Sequence, residues 1–224
     1  AATELDPDMV GRYRDAVKYS YAKSPRTIER VPYRERVKIE YIYIYVIVKE
    51  RFDDLIYVDY SSKEIVTTVN DIKHDLVREA AKLTGINKGF EVMMFADIPS
   101  EGSGLGSSSS LTVGLLHAFY QYLGKLVTAE QLAYEACKIE IEILKRPIGK
   151  QDQYIAAYGG LKTFRFCKDG NVEVNPINIE SDPKRKLGSN LLLFFTDTTR
   201  IASSILDEQS RNVINKLDFH HKIK

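Results

Sequence analysis

Asp97-Ile-Pro-Ser-Glu-Gly102-Ser-Gly104-Leu-Gly106-Ser-Ser-Ser-Ser110 is the stretch from which the rest of the chain can be read. Its glycines alternate with other residues at Gly102, Gly104 and Gly106, and an unbroken serine run, Ser107 to Ser110, follows. A strand-like run, Gly89 to Ala96, leads in, and a helix-like run, Leu111 to Tyr122, leads out. Glycines at a strand-to-helix junction let the backbone approach a ligand closely and accept positive φ. The first turn of the helix adds unpaired N–H groups and the positive end of its dipole. Together these form an anion site, and phosphate is the usual occupant. Serine hydroxyls at the helix start can contact phosphate or a metal ion.

Other readings of the same residues fail on their own requirements. A flexible Gly/Ser connector does not usually sit between a strand and an amphipathic helix inside a domain. A P-loop of the form G-x-x-x-x-G-K-[ST] needs a lysine, and none follows. The spacing is G-x-G-x-G, and the region about 20 residues on is helical, so the dinucleotide fingerprint with its acidic strand end is not met. The G-x-S-x-G elbow lacks its second glycine.

A chain of 224 residues is long enough for one large domain or two small ones. Its 44% hydrophobic and 28% charged residues are those of a soluble globular protein. A net charge of +1 gives no broad field to attract nucleic acid or a membrane surface. No apolar run reaches the ~18 residues that a membrane span needs. Glu4, Asp6 and Asp8 make the N-terminal stretch unlike a signal peptide. Cys137 and Cys167 lack metal-ligand spacing and read as reduced core thiols of a cytoplasmic protein.

Along the chain, Asp6-Pro7 opens a helix carrying Val10, Tyr13, Val17 and Tyr21. Ile39 to Val48 is a strand with Ile42, Ile44, Val46 and Val48 on one face and Tyr41, Tyr43 and Tyr45 on the other, both faces packed. Leu55 to Tyr60 returns as its partner. Asp71 to Leu83 is a helix capped by Asn70 or Asp71, with Ile72, Leu76, Ala80 and Leu83 as its apolar stripe and Gly85 as its end. His74 lies off that stripe and reads as solvated. Thr128-Ala-Glu-Gln131 is a capping box. It starts a helix to about residue 144, lined by Leu132, Ala136, Ile139 and Ile143. A short helix, Gln151 to Tyr158, is followed by a hairpin around Asp169-Gly170. Asn190 to Thr196 reads as a buried strand, and Arg200 opens a helix to about Asn215.

A second constellation is Pro147-Ile-Gly-Lys-Gln-Asp-Gln-Tyr154 followed by Ala-Ala-Tyr-Gly-Gly160. Asp152 in this run is either an acid or base for a bound hydroxyl, or merely caps or solvates the short helix. Glu140 stands twelve residues upstream. On its residues alone it reads as a surface partner of Lys138 or Lys145, and spacing does not exclude that. Glu142, two places along a helix, points elsewhere.

The glycine stretch, from Pro99 through Gly102-Ser-Gly-Leu-Gly-Ser-Ser-Ser109, resembles the phosphate loop of the GHMP kinases, the family of galactokinase, homoserine kinase and mevalonate kinase. The segment around Asp152 resembles the part of the sugar kinases in that family that carries the catalytic aspartate. Within the family the chain looks most like kinases of D-glycero-D-manno-heptose 7-phosphate, with similarity from about Ile39 to about Gln209. The resemblance implies ATP bound by Pro99, Gly102, Ser103, Gly104, Leu105, Gly106, Ser107, Ser108 and Ser109, and Mg²⁺ held by Ser108 and Glu140. It implies Asp152 as the catalytic residue. Substrate contacts fall on Lys150, Tyr158 and Arg200; Arg200 grips a sugar-borne phosphate or makes a plain surface ion pair.

The implied reaction is transfer of a phosphoryl group from ATP to a sugar or sugar-phosphate hydroxyl, foremost the anomeric hydroxyl of heptose 7-phosphate. Fucose, galactose and mevalonate are other acceptors in the family, and a silent nucleotide- or sugar-binding protein is the alternative. The partner is a small molecule, with no nucleic acid and no membrane, and a homodimer is compatible. The fold class is α+β, the GHMP fold with its left-handed β-α-β unit. Its sheet is expected from 39–48, 55–60, 89–96 and 161–174, covered by helices 71–83, 107–122 and 128–144. Residues 1–38 are an N-terminal segment, 39–180 the ATP-binding domain, and 181–224 the start of an incomplete C-terminal domain. Val31-Pro-Tyr-Arg34 resembles the start of the family's sugar-binding segment, but its G-G-G-T-D does not follow.

Overall fold

The computed structural model describes residues 43–97 and 106–190. Within them the most apolar strand takes the middle of a four-stranded sheet. This is β4, Phe90–Ala96. It pairs antiparallel with β1, Ile44–Glu50, and parallel with β2, Ile56–Asp59, while β3, Lys63–Val66, closes the far edge against β2. The order is β1-β4-β2-β3. So β2 is not the direct partner of β1, as the sequence suggests. Phe90 and Val92 are fully buried and need strands on both sides; β1 and β2 therefore flank β4. β3 escapes sequence reading because it is short and polar, as an edge strand often is.

The parallel crossover from β2 to β4 passes through α1, Asp75–Thr84, and not through the helix after the glycine stretch. α1 begins later than the sequence suggests. Val69–Asp71 forms a separate 3-10 turn, and His74 is the N-cap. The cap acceptors come from another element. The Glu64 carboxylate of β3 receives the backbone N–H of Lys73 at 2.6 Å and of His74 at 3.0 Å, and the Tyr60 hydroxyl at 3.0 Å. Orphan donors at a helix start are thus satisfied across the sheet edge. Gly85, at φ 84°, ends the helix in the left-handed conformation that glycine tolerates.

α2, Ser107–Tyr122, and α3, Ala129–Cys137, complete the layer over the sheet. Val46, Ile56, Val58, Phe90 and Val92 from the strands meet Leu76, Val77 and Ala80 from α1 and Leu115, Leu116 and Phe119 from α2. Phe90 and Phe119 meet edge to face at 5.5 Å, a favoured aromatic geometry. Thr128 caps α3 by accepting the Gln131 N–H at 3.1 Å, as its sequence indicates.

β5, Lys162–Phe166, and β6, Val172–Pro176, form the expected hairpin but stand as their own two-stranded sheet. Their apolar side chains do not extend the main sheet. Phe164, Val172 and Val174 pack instead against Ala133, Cys137 and Tyr154. Cys167 stands on this hairpin and is only half-buried, so of the two free thiols only Cys137 is a core group. A further helix, α5, spans Ser181–Ser189. The elements expected in 1–42 and beyond Asn190 lie outside the described residues.

Candidate active site

The helix opened by Thr128 does not stay α-helical. From Lys138 to Ile143 it widens into a π-helical stretch, marked by the Leu144 N–H bonding the Ile139 carbonyl five residues back at 2.9 Å. Such stretches recur at functional sites. The wider turn rotates the inward face, so that Ile139 and Glu140 are buried while Ile143 is 43% exposed. The stripe of Leu132, Ala136, Ile139 and Ile143 drawn at 3.6-residue spacing therefore breaks at its last member, and a carboxylate takes the inward place. Glu142 is exposed, which separates the two glutamates.

Glu140 has no solvent exposure at all. A buried carboxylate must be met by donors. Ser108 Oγ donates to Oε1 at 2.8 Å, Arg146 Nη1 to Oε1 at 3.1 Å, and Gln153 Nε2 to Oε2 at 2.7 Å. Ser108 comes from the first turn of α2, and Gln153 from α4, Gln151–Tyr158. Arg146 follows Lys145, which adopts φ 53° and turns the chain back toward the carboxylate. Its other arm bonds Asp75 Oδ2 at 2.9 Å, at the start of α1. The surface pairing considered for Glu140 is thus replaced by a part-buried one with Arg146.

Gly106 is the N-cap of α2 at φ 71°. A Cβ built there would stand 3.2 Å from Asp152 Oδ2. The Asp152 side chain, exposed on the first turn of α4, therefore lies directly against the start of α2. Ser108, Glu140 and Asp152 converge on one end of this helix. Ser107 is partly exposed beside them, whereas Ser109 is buried on the inner side of α2. Lys150 caps α4 and its Nζ donates to the Gly170 carbonyl at 3.3 Å, tying the site to the hairpin turn. Tyr158 stacks on Tyr154 and meets Phe164 edge to face, at the opposite end of α4 from Asp152. Pro99, Gly102, Ser103, Gly104, Leu105 and Arg200 lie outside the described residues.

A cavity of about 420 Å³ opens beside Ser108. Ile44, Tyr60, Met94, Phe95 and Leu111 give it an apolar wall. Ser107, Ser108, Asp75, His74 and Arg146 form its polar part, and Asp152 lies outside it on the Gly106 side. His74 is not the solvated residue that its place off the stripe suggests. Its ring packs edge-on to Tyr60 at 4.9 Å, and its Nδ1 is buried without a hydrogen-bond partner. Burial holds this imidazole below its ordinary value of 6.5, against the pull of Asp75 and Glu64. Sequence reasoning missed Arg146, Gln153, Asp75 and His74. The run of residues from Arg146 to Gln153 around Asp152 was the available signal for two of them.

Residues 68–160 match the family of GHMP kinases N-terminal domains. A D-glycero-alpha-D-manno-heptose 7-phosphate kinase of Campylobacter jejuni is 34% identical over 175 residues, 75% of this chain and 51% of that protein. Among solved structures, a D-glycero-D-manno-heptose 1-phosphate kinase from Bacteroides thetaiotaomicron superposes with a TM-score of 0.63 at 26% identity, over 78% of this chain and 60% of that one. A sugar kinase from Campylobacter jejuni, described as putative, gives 0.63 at 29% identity, over 81% and 60%. The chain thus spans about half the length of the curated relative it matches.

Proposed function

From the match of residues 68–160 to the GHMP kinase N-terminal domain, we propose that the protein transfers a phosphoryl group from ATP to a hydroxyl of a sugar phosphate, foremost the anomeric hydroxyl of a heptose 7-phosphate. The observation that carries the reading is the meeting of Ser108, Glu140 and Asp152 at the N-terminal end of α2. The substrate class rests on the likeness to a heptose 7-phosphate kinase. ATP as co-substrate follows from the family, Mg²⁺ as its companion from the donor set below. Residues 39–180 would serve as the nucleotide-binding domain and 181–224 as the start of a second. Among the described residues no helix is long and apolar enough to cross a membrane. A kinase of this kind would work in the cytoplasm, and a homodimer is compatible with it.

The donor set at Ser108 and Glu140 is a hydroxyl oxygen and a carboxylate oxygen, 2.8 Å apart. No group of three or more His, Cys, Asp or Glu side chains that could hold a metal occurs among the described residues. Two protein oxygens suit Mg²⁺, which binds few protein ligands and takes the rest from water and phosphate. When bound, the ion would neutralise charge on the phosphate oxygens. The N–H groups at the start of α2 and the positive end of that helix stabilise the polyphosphate, aided by Arg146 at the cavity wall. The 420 Å³ cavity would hold the nucleotide, and Tyr60, His74 and Met94 are among the residues that line it. The acceptor approaches from the Gly106 side. Asp152 orients its hydroxyl and takes the proton as the oxygen forms its bond to the γ-phosphorus and the bond to ADP breaks. Most of this effect is positioning and electrostatics, since the transferring group does its own covalent chemistry.

A coupled ADP-release assay across heptose 7-phosphate, fucose, galactose and mevalonate tests the proposal. Turnover dependent on heptose 7-phosphate is the expected result. ATP binding without turnover on any acceptor would replace it with a binding role.

A further inference from the structure

Glu140 Oε1 serves two donors at once, the Ser108 hydroxyl at 2.8 Å and Arg146 Nη1 at 3.1 Å. A cation held by Ser108 and Glu140 needs the same oxygen. Its charge would also stand beside a guanidinium that cannot lose its proton. Two like charges a few ångströms apart in a partly buried site repel strongly. Arg146 has an alternative place to go. Its second arm already rests on Asp75 at 2.9 Å, and both residues line the cavity together with Ser107 and Ser108. Gln153 meanwhile holds Oε2 from a separate element, so the carboxylate keeps its orientation when Oε1 changes partner.

We propose that Arg146 is a resident counter-cation, which occupies the Glu140 carboxylate in the absence of nucleotide and makes divalent-cation binding conditional on polyphosphate. Without nucleotide, Arg146 satisfies Glu140, whose burial would otherwise leave an uncompensated charge. With nucleotide in the cavity, the phosphates and Asp75 give the guanidinium other acceptors, and it releases Oε1. Arg146 thus sets the cation affinity of Glu140 and, once released, faces the phosphates. The inference rests on the reading of Ser108 and Glu140 as metal holders, and its test does not depend on turnover.

The experiment is a Mn²⁺ titration of the whole chain, followed by the electron paramagnetic resonance of free Mn²⁺, with and without a non-hydrolysable ATP analogue. The wild type is expected to bind Mn²⁺ weakly alone and more tightly with the analogue. Arg146→Met should bind Mn²⁺ alone about tenfold more tightly than the wild type, narrowing that gap. Arg146→Lys, which keeps the charge, should stay within about threefold of the wild type. Asp75→Asn removes the negative charge of the alternative acceptor, leaving Arg146 more firmly on Glu140, and should weaken Mn²⁺ binding. It keeps the test open if Arg146→Met does not fold. Equal or weaker Mn²⁺ binding by Arg146→Met overturns the inference, as does tighter binding by Asp75→Asn. Mn²⁺ binding by none of the proteins, even with the analogue, overturns both this inference and the metal role of Ser108 and Glu140. A wild type that phosphorylates no acceptor, while the Arg146 effect on Mn²⁺ persists, sinks the kinase reading alone.

Discussion

Ser108 and Glu140, 32 residues apart in the chain, share a 2.8 Å hydrogen bond between the first turn of α2 and the π-helical stretch after α3. The carboxylate is fully buried and also carries Arg146 and Gln153. Glu140→Gln keeps the size of the side chain but places an uncharged amide against these donors. Removing one partner of a buried ion pair leaves the other uncompensated, and part-exposure of Arg146 puts the expected loss near the low end, about 3 kcal/mol. Urea denaturation should show this shift together with a loss of ADP release. A variant as stable as the wild type would mean that the Arg146–Glu140 pair does not hold the site together.

Asp152 is exposed and packs against Gly106, so changing its charge has little to disturb in the core. Asp152→Asn is expected to keep the melting temperature and the affinity for ATP. Turnover should fall by about 10²–10⁴-fold, the usual weight of a positioned acid or base. Isothermal titration with an ATP analogue beside the ADP-release assay separates the two effects. Unchanged turnover would remove Asp152 from the chemistry.

Gly106 combines a φ of 71° with a neighbouring carboxylate 3.2 Å from where a Cβ would stand. Gly106→Ala therefore meets two penalties. The left-handed backbone costs about 1–2 kcal/mol. The methyl also pushes Asp152 away, so turnover should fall by more than stability alone accounts for. Gly85→Ala carries the backbone penalty with no atom near the new methyl, and so serves as the comparison. Equal turnover in the two variants would show that the Gly106–Asp152 approach is incidental.

His74 gives the fold a pH dependence whose sign follows from its burial. Its folded pKa lies below the ordinary 6.5 because desolvation outweighs Asp75 and Glu64, and Arg146 lowers it further. The unfolded chain then binds the proton more readily than the folded one. Its contribution is fully present above about pH 6.5 and is lost as pH falls through the lower folded value. Denaturation midpoints measured across that window should drop less steeply for His74→Phe than for the wild type. Parallel curves would place the acid sensitivity elsewhere.

The glycine stretch, the Thr128 cap and the hairpin at Asp169-Gly170 were legible because each depends on local chemistry. Glu140 and Asp152 were singled out through the resemblance and the run around Asp152, and both lie against the start of α2. What was not legible depends on contacts between distant segments. Glu64 caps α1 from β3, nine and ten residues ahead of its partners, and no local rule points to it. His74 lies off the apolar stripe yet is covered by Tyr60, which follows the end of β2. α5 lacks an apolar stripe of the usual kind, since Ser181-Asp-Pro-Lys-Arg-Lys is polar apart from Pro183. Arg146 carries no local mark in the sequence, because its partner Glu140 turns inward only where the helix widens.

That widening from Lys138 to Ile143 also fixes the phase of everything after it. An α-helix advances about 100° per residue. Deleting one residue within the stretch would let it relax to ordinary α geometry with no loss of helical hydrogen bonding. The backbone would gain regularity, but the inward place would pass from Glu140 to a neighbour, and Arg146 and Gln153 would reach for a carboxylate that had turned away. The chain at this point is sensitive to the count of residues more than to their kind. Insertions and deletions here should be far more damaging than most substitutions.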